Sequence, residues 1–400
     1  GNIGFTGGLY LSRCDELTME NVLLEGHDAV GETASGGGMY LFEVDRVDLH
    51  RCVWKENAAS GGAAMYIGAC PQVEISSSDV SQNTGSYHGA ISVLDSEAKF
   101  INCIIYSNSA GVRSGAIQSR RSGLEISSST IAGNVATSGP GGIDAFTEVD
   151  LQIENSILWG NRSSAGFTRD AQYWHDTSST VMLQTSCIQG ADVDQMTGVT
   201  GEDPMFVDPV GQDLVEWSGD EDFHCLPMSP CVDQGDDSLV HSATDYGGGD
   251  RVVDDPFVPN GPFGVTDMGA FEWEPDDLYP WNIRLLDVPP GGASDWEHLD
   301  NWLPSEIPDE NSWVFWNIEG DHALDLHVST SVRRLVGEQG HLTLRLHGGT
   351  IGAESPGGWL PSIAIGTWNR GLACELTVVN GTLSAQTIRI DRAGDGQLHI

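Results

Sequence analysis

Along the first half of the chain, apolar residues flank single polar or aromatic ones in short triplets that return at a nearly fixed distance. They read Leu9-Tyr10-Leu11, Met39-Tyr40-Leu41, Met65-Tyr66-Ile67, Ile91-Ser92-Val93, Ile117-Gln118-Ser119 and Ile143-Asp144-Ala145, with first members 30, 26, 26, 26 and 26 residues apart. A second series follows each: Leu17-Thr18-Met19, Val47-Asp48-Leu49, Val73-Glu74-Ile75, Ala98-Lys99-Phe100, Leu124-Glu125-Ile126 and Leu151-Gln152-Ile153. A third is marked by Asn57, Asn83, Asn108, Asn134 and Asn161, spaced 26, 25, 26 and 27. In-out-in alternation is the period of a strand. Three short strands per repeat cannot bury their apolar faces alone, but stacked repeats can. The pattern predicts an all-β, single-stranded β-solenoid over residues 1–200, with about 26 residues and three strands per coil. At ~4.7–4.9 Å per coil, the spacing of hydrogen-bonded strands, about seven coils fit.

The asparagines are expected at one corner of every coil, where stacked amides hydrogen-bond along the ladder and Asn tolerates the left-handed backbone of a sharp turn. These coils resemble the right-handed parallel β-helix repeats of extracellular proteins, and that resemblance implies the hand.

After residue 200 the period fades. Asp203-Pro204-Met205-Phe206, Ser229-Pro230-Cys231-Val232-Asp233-Gln234-Gly235-Asp236, Thr244-Asp245, Arg251 and Thr266-Asp267-Met268-Gly269-Ala270-Phe271-Glu272 follow in order. This resembles the C-terminal region of bacterial surface β-helix proteins of the choice-of-anchor type, and implies a loop-rich capping module over 201–280 that closes the open end of the helix. In Asp245-Tyr246-Gly247-Gly248-Gly249-Asp250-Arg251 the second acid is displaced from the family's pattern. Asp233, Asp236, Asp245, Asp267 and Glu272 either cap turns and pair with Arg251, or coordinate a hard cation such as calcium.

Residues 281–400 form a third region. Trp296 and Asn301-Trp302, then Pro304 and Pro308, precede the strand Trp313-Val314-Phe315-Trp316. Leu342-Thr343-Leu344-Arg345-Leu346, Glu375-Leu376-Thr377-Val378-Val379, Thr387-Ile388-Arg389-Ile390 and Gln397-Leu398-His399-Ile400 alternate as strands. The phrase from Asn380 to Ile400 resembles repeats of autotransporter-like passenger domains, which implies a second β-solenoid expected to continue past residue 400.

Composition sharpens this reading. The 50 glycines follow no Gly-X-Y period, which excludes collagen and fits many tight turns. Fifty-eight acids against 18 bases give a net charge of −40, which disfavours nucleic acid and anionic membrane as partners. Such a surface suits a salty or calcium-rich exterior, and an extracellular or cell-surface location of bacterial type is expected. No apolar stretch reaches the ~18 residues of a membrane span. The eight cysteines show no zinc-finger spacing. Cys14, Cys52, Cys70 and Cys103 read as small core fillers, and Cys225 and Cys231 are close enough in sequence to pair.

Two outward features carry candidate chemistry. Tyr10, Tyr40 and Tyr66 fall on consecutive coils, where a row of aromatics either stacks on sugar rings or stacks on itself. His88, Asp95, Arg120, Arg121, Asp144 and Glu148 fall on adjacent coils, with Ser92, Gln118 and Asp144 on one ladder. Acid–base chemistry needs such carboxylates beside a perturbing partner, whereas scattered charges are what any solvated face shows. Parallel β-helices often cleave acidic polysaccharides, so a lyase or glycosidase is the rival to a non-enzymatic structural or adhesive scaffold. Self-association and extracellular polysaccharide are the expected partners.

Overall fold

The computed structural model describes residues 7–273 apart from 30, 32–33, 192–197, 210–220, 227–228 and 256–257, and beyond them the strands named below with short flanking stretches. The chain divides into two compact units, Gly1–Trp273 and Glu274–Ile400.

The first unit is an all-β parallel solenoid. Met39, Met65, Ile91, Ile117 and Ile143 lie in parallel register on consecutive coils, and all are fully buried. The coils build three parallel sheets of 12, seven and four strands. The largest carries two strands from each coil. They are joined because Leu9–Glu20 and Met39–His50 run unbroken through the bend that later coils make between separate strands. The four-stranded sheet consists of two-residue strands, Ala58–Ala59 through Val135–Ala136, so the middle coils carry a fourth short strand besides the three in the sequence pattern.

The asparagine ladder forms. Each Nδ2 donates to the next Oδ1, Asn57 to Asn83 at 3.0 Å, Asn83 to Asn108 at 2.9 Å, Asn108 to Asn134 at 2.9 Å and Asn134 to Asn161 at 2.8 Å. Gln172, from the short helix Arg169–Gln172, accepts from Asn161 at 2.8 Å and continues the ladder in a side chain one methylene longer. The backbone reading needs correction: positive φ falls one residue earlier, at Glu56, Gln82, Ser107, Gly133 and Gly160. That left-handed residue turns the chain inward, which leaves the asparagine side chain inside the corner, where it also donates to carbonyls such as Val80 and Tyr106. Two other corners are built likewise, and in them serine hydroxyls accept from the backbone N–H of the preceding coil. Cys52 donates to Ser78, Cys103 to Ser129 and Cys70 to Ser96, at 3.0, 2.9 and 2.9 Å. Serine and cysteine alternate in the column Cys52, Ser78, Cys103, Ser129, whereas Val44 separates Cys14 from Cys70 in the other.

The segment after residue 200 packs along the flank of the coils. Ile104, Tyr106, Ala132, Ile157 and Cys187 are outward or edge residues of the seven-stranded sheet. They share an apolar cluster with Phe206, Phe223, Cys225, Cys231, Val232, Met268, Ala270 and Trp273. Ala270 N–H donates to Thr130 Oγ1, and Asn102 Nδ2 to Thr244 O. These contacts run across successive coils, so the module covers a side wall, where closure of the open end was expected. The physical reason is the apolar outer face of that sheet, which would otherwise be wet.

The second unit is also parallel. Trp313–Asp325 pairs with Arg334–Arg345, which pairs with Ile363–Ile365 and Cys374–Val379, and these pair with Ile388–Ile390 and Gly396–His399. Leu324, Leu335, Leu342, Leu344, Ile351 and Leu376 form its buried core. Among the described residues, an antiparallel pairing of Asn282–Leu285 with Trp302–Leu303 precedes these strands. Among the described residues no helix is long and apolar enough to cross a membrane.

Candidate functional site

Parallel register places every central residue of the first triplets in one outward column: Tyr10, Tyr40, Tyr66, Ser92, Gln118, Asp144 and Trp174. The two features that the sequence presents separately are therefore one face. Trp174 was not foreseen, because its coil is lengthened to 30 residues by the insertion holding the short helix.

The tyrosines stack with ring centroids 5.3 and 4.6 Å apart and planes within 11° and 7°. Tyr40 thus spends both ring faces on its neighbours, and solvent meets mainly edges. Burial and the neighbouring phenol push the Tyr66 hydroxyl up to about 12. The open ring faces that sugars stack on are confined to the ends of such a column.

Further along, Ser92, Gln118 and Asp144 are buried although they point outward. Ser92 Oγ, Gln118 Oε1 and Asp144 Oδ1 have no hydrogen-bond partner. Arg113, a residue the sequence did not single out, lies over this stretch. Its Nη1 is 3.3 Å from Asp144 Oδ2, and its guanidinium stacks 4.2 Å above the Phe146 ring. Arg120 is exposed and lies over the same ring at 5.9 Å. Burial raises the Asp144 carboxyl and Arg113 opposes the rise. His88 is pushed down to about 4 by burial and by Arg113, so its imidazole is neutral at neutral pH. Asp95 accepts two bonds from Arg121 at 2.6 and 2.7 Å, which hold its carboxyl low. The candidate acid–base set is thus divided: Arg113 joins His88 and Asp144, while Asp95 is paired with Arg121. Arg113 escaped the sequence because it comes from a Gly-bounded loop with no periodic signal.

The acids of the flanking module act as turn caps. Asp245 accepts from the N–H groups of Gly248, Gly249 and Glu272. Asp267 accepts from Asp233 and Trp273, and Asp233 from Asp255. Asp236 caps the turn Asp237–Leu239 through Ser238. Arg251 is buried among them, donating to the carbonyls of Asp267 and Gly269, with Nη1 3.7 Å from Glu272. Burial drives the Asp233 carboxyl up to about 7. Among the described residues, these four aspartates do not converge as a set of three within metal-ligand reach. All seven described cysteines are free thiols, and the buried Cys231 interacts with both Cys225 and Cys187.

Asp79 faces the module, and burial lifts its carboxyl to about 6 despite Lys55. A folded-state value above the usual 3.8 favours the fold fully below 3.8, and this contribution is lost as pH rises through about 6. Asp79→Asn is therefore expected to add about 1–2 kcal/mol at pH 7 and almost nothing at pH 3.5. Urea unfolding at both values checks this, and an equal effect at both would refute it.

No curated protein and no solved structure matches the chain. Residues 3–158 match the family model described as "Right handed beta helix region". Residues 3–158 are thus similar to right-handed β-helix regions, and the parallel sheets and coil register show the first unit wound as a β-solenoid of about seven turns.

Proposed function

We propose that this chain serves outside the cell as a non-enzymatic structural or adhesive scaffold, displayed at a surface or assembled into a fibre or sheath. The observation that carries this reading is the unbroken ladder from Asn57 to Gln172, which ties coil to coil through buried amides. Such a stack resists local opening, the property wanted of a scaffold. The net charge of −40 keeps it soluble and suits an exterior where calcium and other cations screen the surface.

A second reading, contact with a polysaccharide by binding or cleavage, is favoured by one specific observation. Ser92 Oγ, Gln118 Oε1 and Asp144 Oδ1 are buried acceptors without donors, on rungs between Tyr66 and Trp174. Sugar hydroxyls are donors of the right kind.

The purified chain is to be incubated with acidic and neutral polysaccharides, with and without calcium. The scaffold reading expects no new reducing ends and no unsaturated products. Product release that Asp144→Asn abolishes would overturn it, while binding without products would support the adhesive form.

A further inference from the structure

Where the flanking module meets the outer wall of the coils, three side chains converge. Glu125 lies in Gly123–Ser127, Glu154 ends Asp150–Glu154, and His241 arrives from the module. One atom from each, Glu125 Oε1, Glu154 Oε2 and His241 Nε2, lies within 4.8 Å of the others. His241 Nε2 is 3.4 Å from the Glu154 oxygen and 3.6 Å from that of Glu125.

Those distances decide what the group is built for. A protonated imidazole shared between two carboxylates would draw in to about 2.7–2.9 Å. Ligands at ~2.0–2.2 Å around one tetrahedral ion are separated by the tetrahedral edge, about 3.3–3.6 Å. The two His241 separations fit the second case, although the one to Glu154 is also within hydrogen-bond reach, and the two carboxylate oxygens lie within 4.8 Å of each other. Independently, Glu125 Oε1 is shut off from solvent and accepts no hydrogen bond, a costly state for a carboxylate oxygen unless something else is to occupy it. Its other oxygen is held by Lys99 Nζ at 2.5 Å, which fixes the carboxylate with Oε1 toward His241. The Glu154 side chain is 9% exposed.

The approach of His241 is also fixed. On one side Asn155 donates to Asp236 O at 3.0 Å and accepts from Asp236 N–H at 2.9 Å. On the other, Asn102 donates to Thr244 O at 2.6 Å. A groove of about 470 Å³ lined by Glu125, Lys99, Glu148, Asp150 and Gln152 opens beside the group and admits water.

We propose that Glu125, Glu154 and His241 bind one divalent first-row transition metal of the zinc class, with water from the groove as fourth ligand. One imidazole nitrogen and two carboxylate oxygens suit zinc, whereas calcium takes six to eight oxygens. The ion would join the module to the coils, whichever reading of the chain's surface role holds.

The test titrates the full chain, stripped with chelator, with zinc chloride by calorimetry, and repeats the titration with cobalt(II) to read tetrahedral absorption bands. One saturable equivalent is expected, with calcium chloride failing to compete. His241→Ala should weaken zinc by more than the roughly 10–100-fold that loss of an outer-shell partner costs. Glu154→Gln, nearly isosteric, should do likewise with the fold intact by circular dichroism. Absence of saturable zinc binding in the parent, or unchanged affinity in Glu154→Gln, overturns the proposal.

Discussion

Asn108→Ala is expected to destabilise the β-helix by about 2–4 kcal/mol, read as a fall in the urea midpoint of the first unit. The Asn108 side chain has five hydrogen-bonding contacts, its two amide hydrogens shared among three acceptors, in a site 1% exposed. It accepts from the backbone and the amide of Asn83, both at 2.9 Å, and donates to Val80 O, Tyr106 O and Asn134 Oδ1 at 2.8, 2.9 and 2.9 Å. Truncation strips the Asn83 N–H of its acceptor, at about 1–3 kcal/mol, and costs the other partners one bond each, while Asn134 Oδ1 keeps the Asn108 N–H, Asn83 Nδ2 keeps Trp54 O and Ser81 O, and Tyr106 O keeps the Gln82 N–H. Asn108→Asp should be no better, since a carboxylate cannot donate to the two carbonyls. The neighbouring Ser109 is half-buried and makes one 3.3 Å side-chain bond. Ser109→Ala should therefore change stability by no more than about 0.5 kcal/mol. Equal effects at 108 and 109 would mean that the ladder is decorative.

Arg251→Ala should cost about 3–5 kcal/mol, because it strips the only buried cation from a group of buried acids among the described residues. Glu272 is pushed up to about 8 chiefly by burial, against the pull of Arg251, and Asp267 is raised well above its usual range by burial and by Glu272. Raised folded-state values make the acids most compatible with the fold below about 4.5, and their contribution is lost as pH rises through about 8. Removing the guanidinium takes away the largest influence lowering Glu272, leaving the hydrogen bonds from Asp267, Val253 and Thr266, so the loss in Arg251→Ala should be nearly constant from about pH 5 to pH 7 and grow as pH passes through about 8. Arg251→Lys should rescue only part of it, since one ammonium cannot reach both carbonyls and the carboxylate in the planar geometry of the fork. A pH-independent loss would locate the damage in packing.

The coil length and the column of each triplet were legible because parallel register converts a sequence period directly into a spatial column. Tyr10, Tyr40 and Tyr66, and Ser92, Gln118 and Asp144, fall where the 26-residue spacing puts them. The period failed where coil length changed, hiding Trp174 and the substitution of Gln172 for asparagine at the ladder's end. It also pointed to the wrong one of two adjacent corner residues for positive φ, because the asparagines are invariant along the column while Glu56, Gln82, Ser107, Gly133 and Gly160 before them vary. Arg113 and His241 were invisible for another reason: each reaches its partners from a loop, and loops carry no periodic signal.

By itself, then, the sequence determined the parallel solenoid of the first unit, its ladders and the composition of its outward faces, because stacking strands in register leaves each position one neighbour above and one below. Only the tertiary structure decided that the module of residues 201–273 lies along the coils' side wall, that Arg113 covers Asp144, and that Glu125, Glu154 and His241 meet. Those contacts join residues from 29 (Glu125 and Glu154) to 142 (Asn102 and Thr244) positions apart, most of them through irregular loops. Their placement follows from which apolar wall must be covered and from how burial and charge are balanced there.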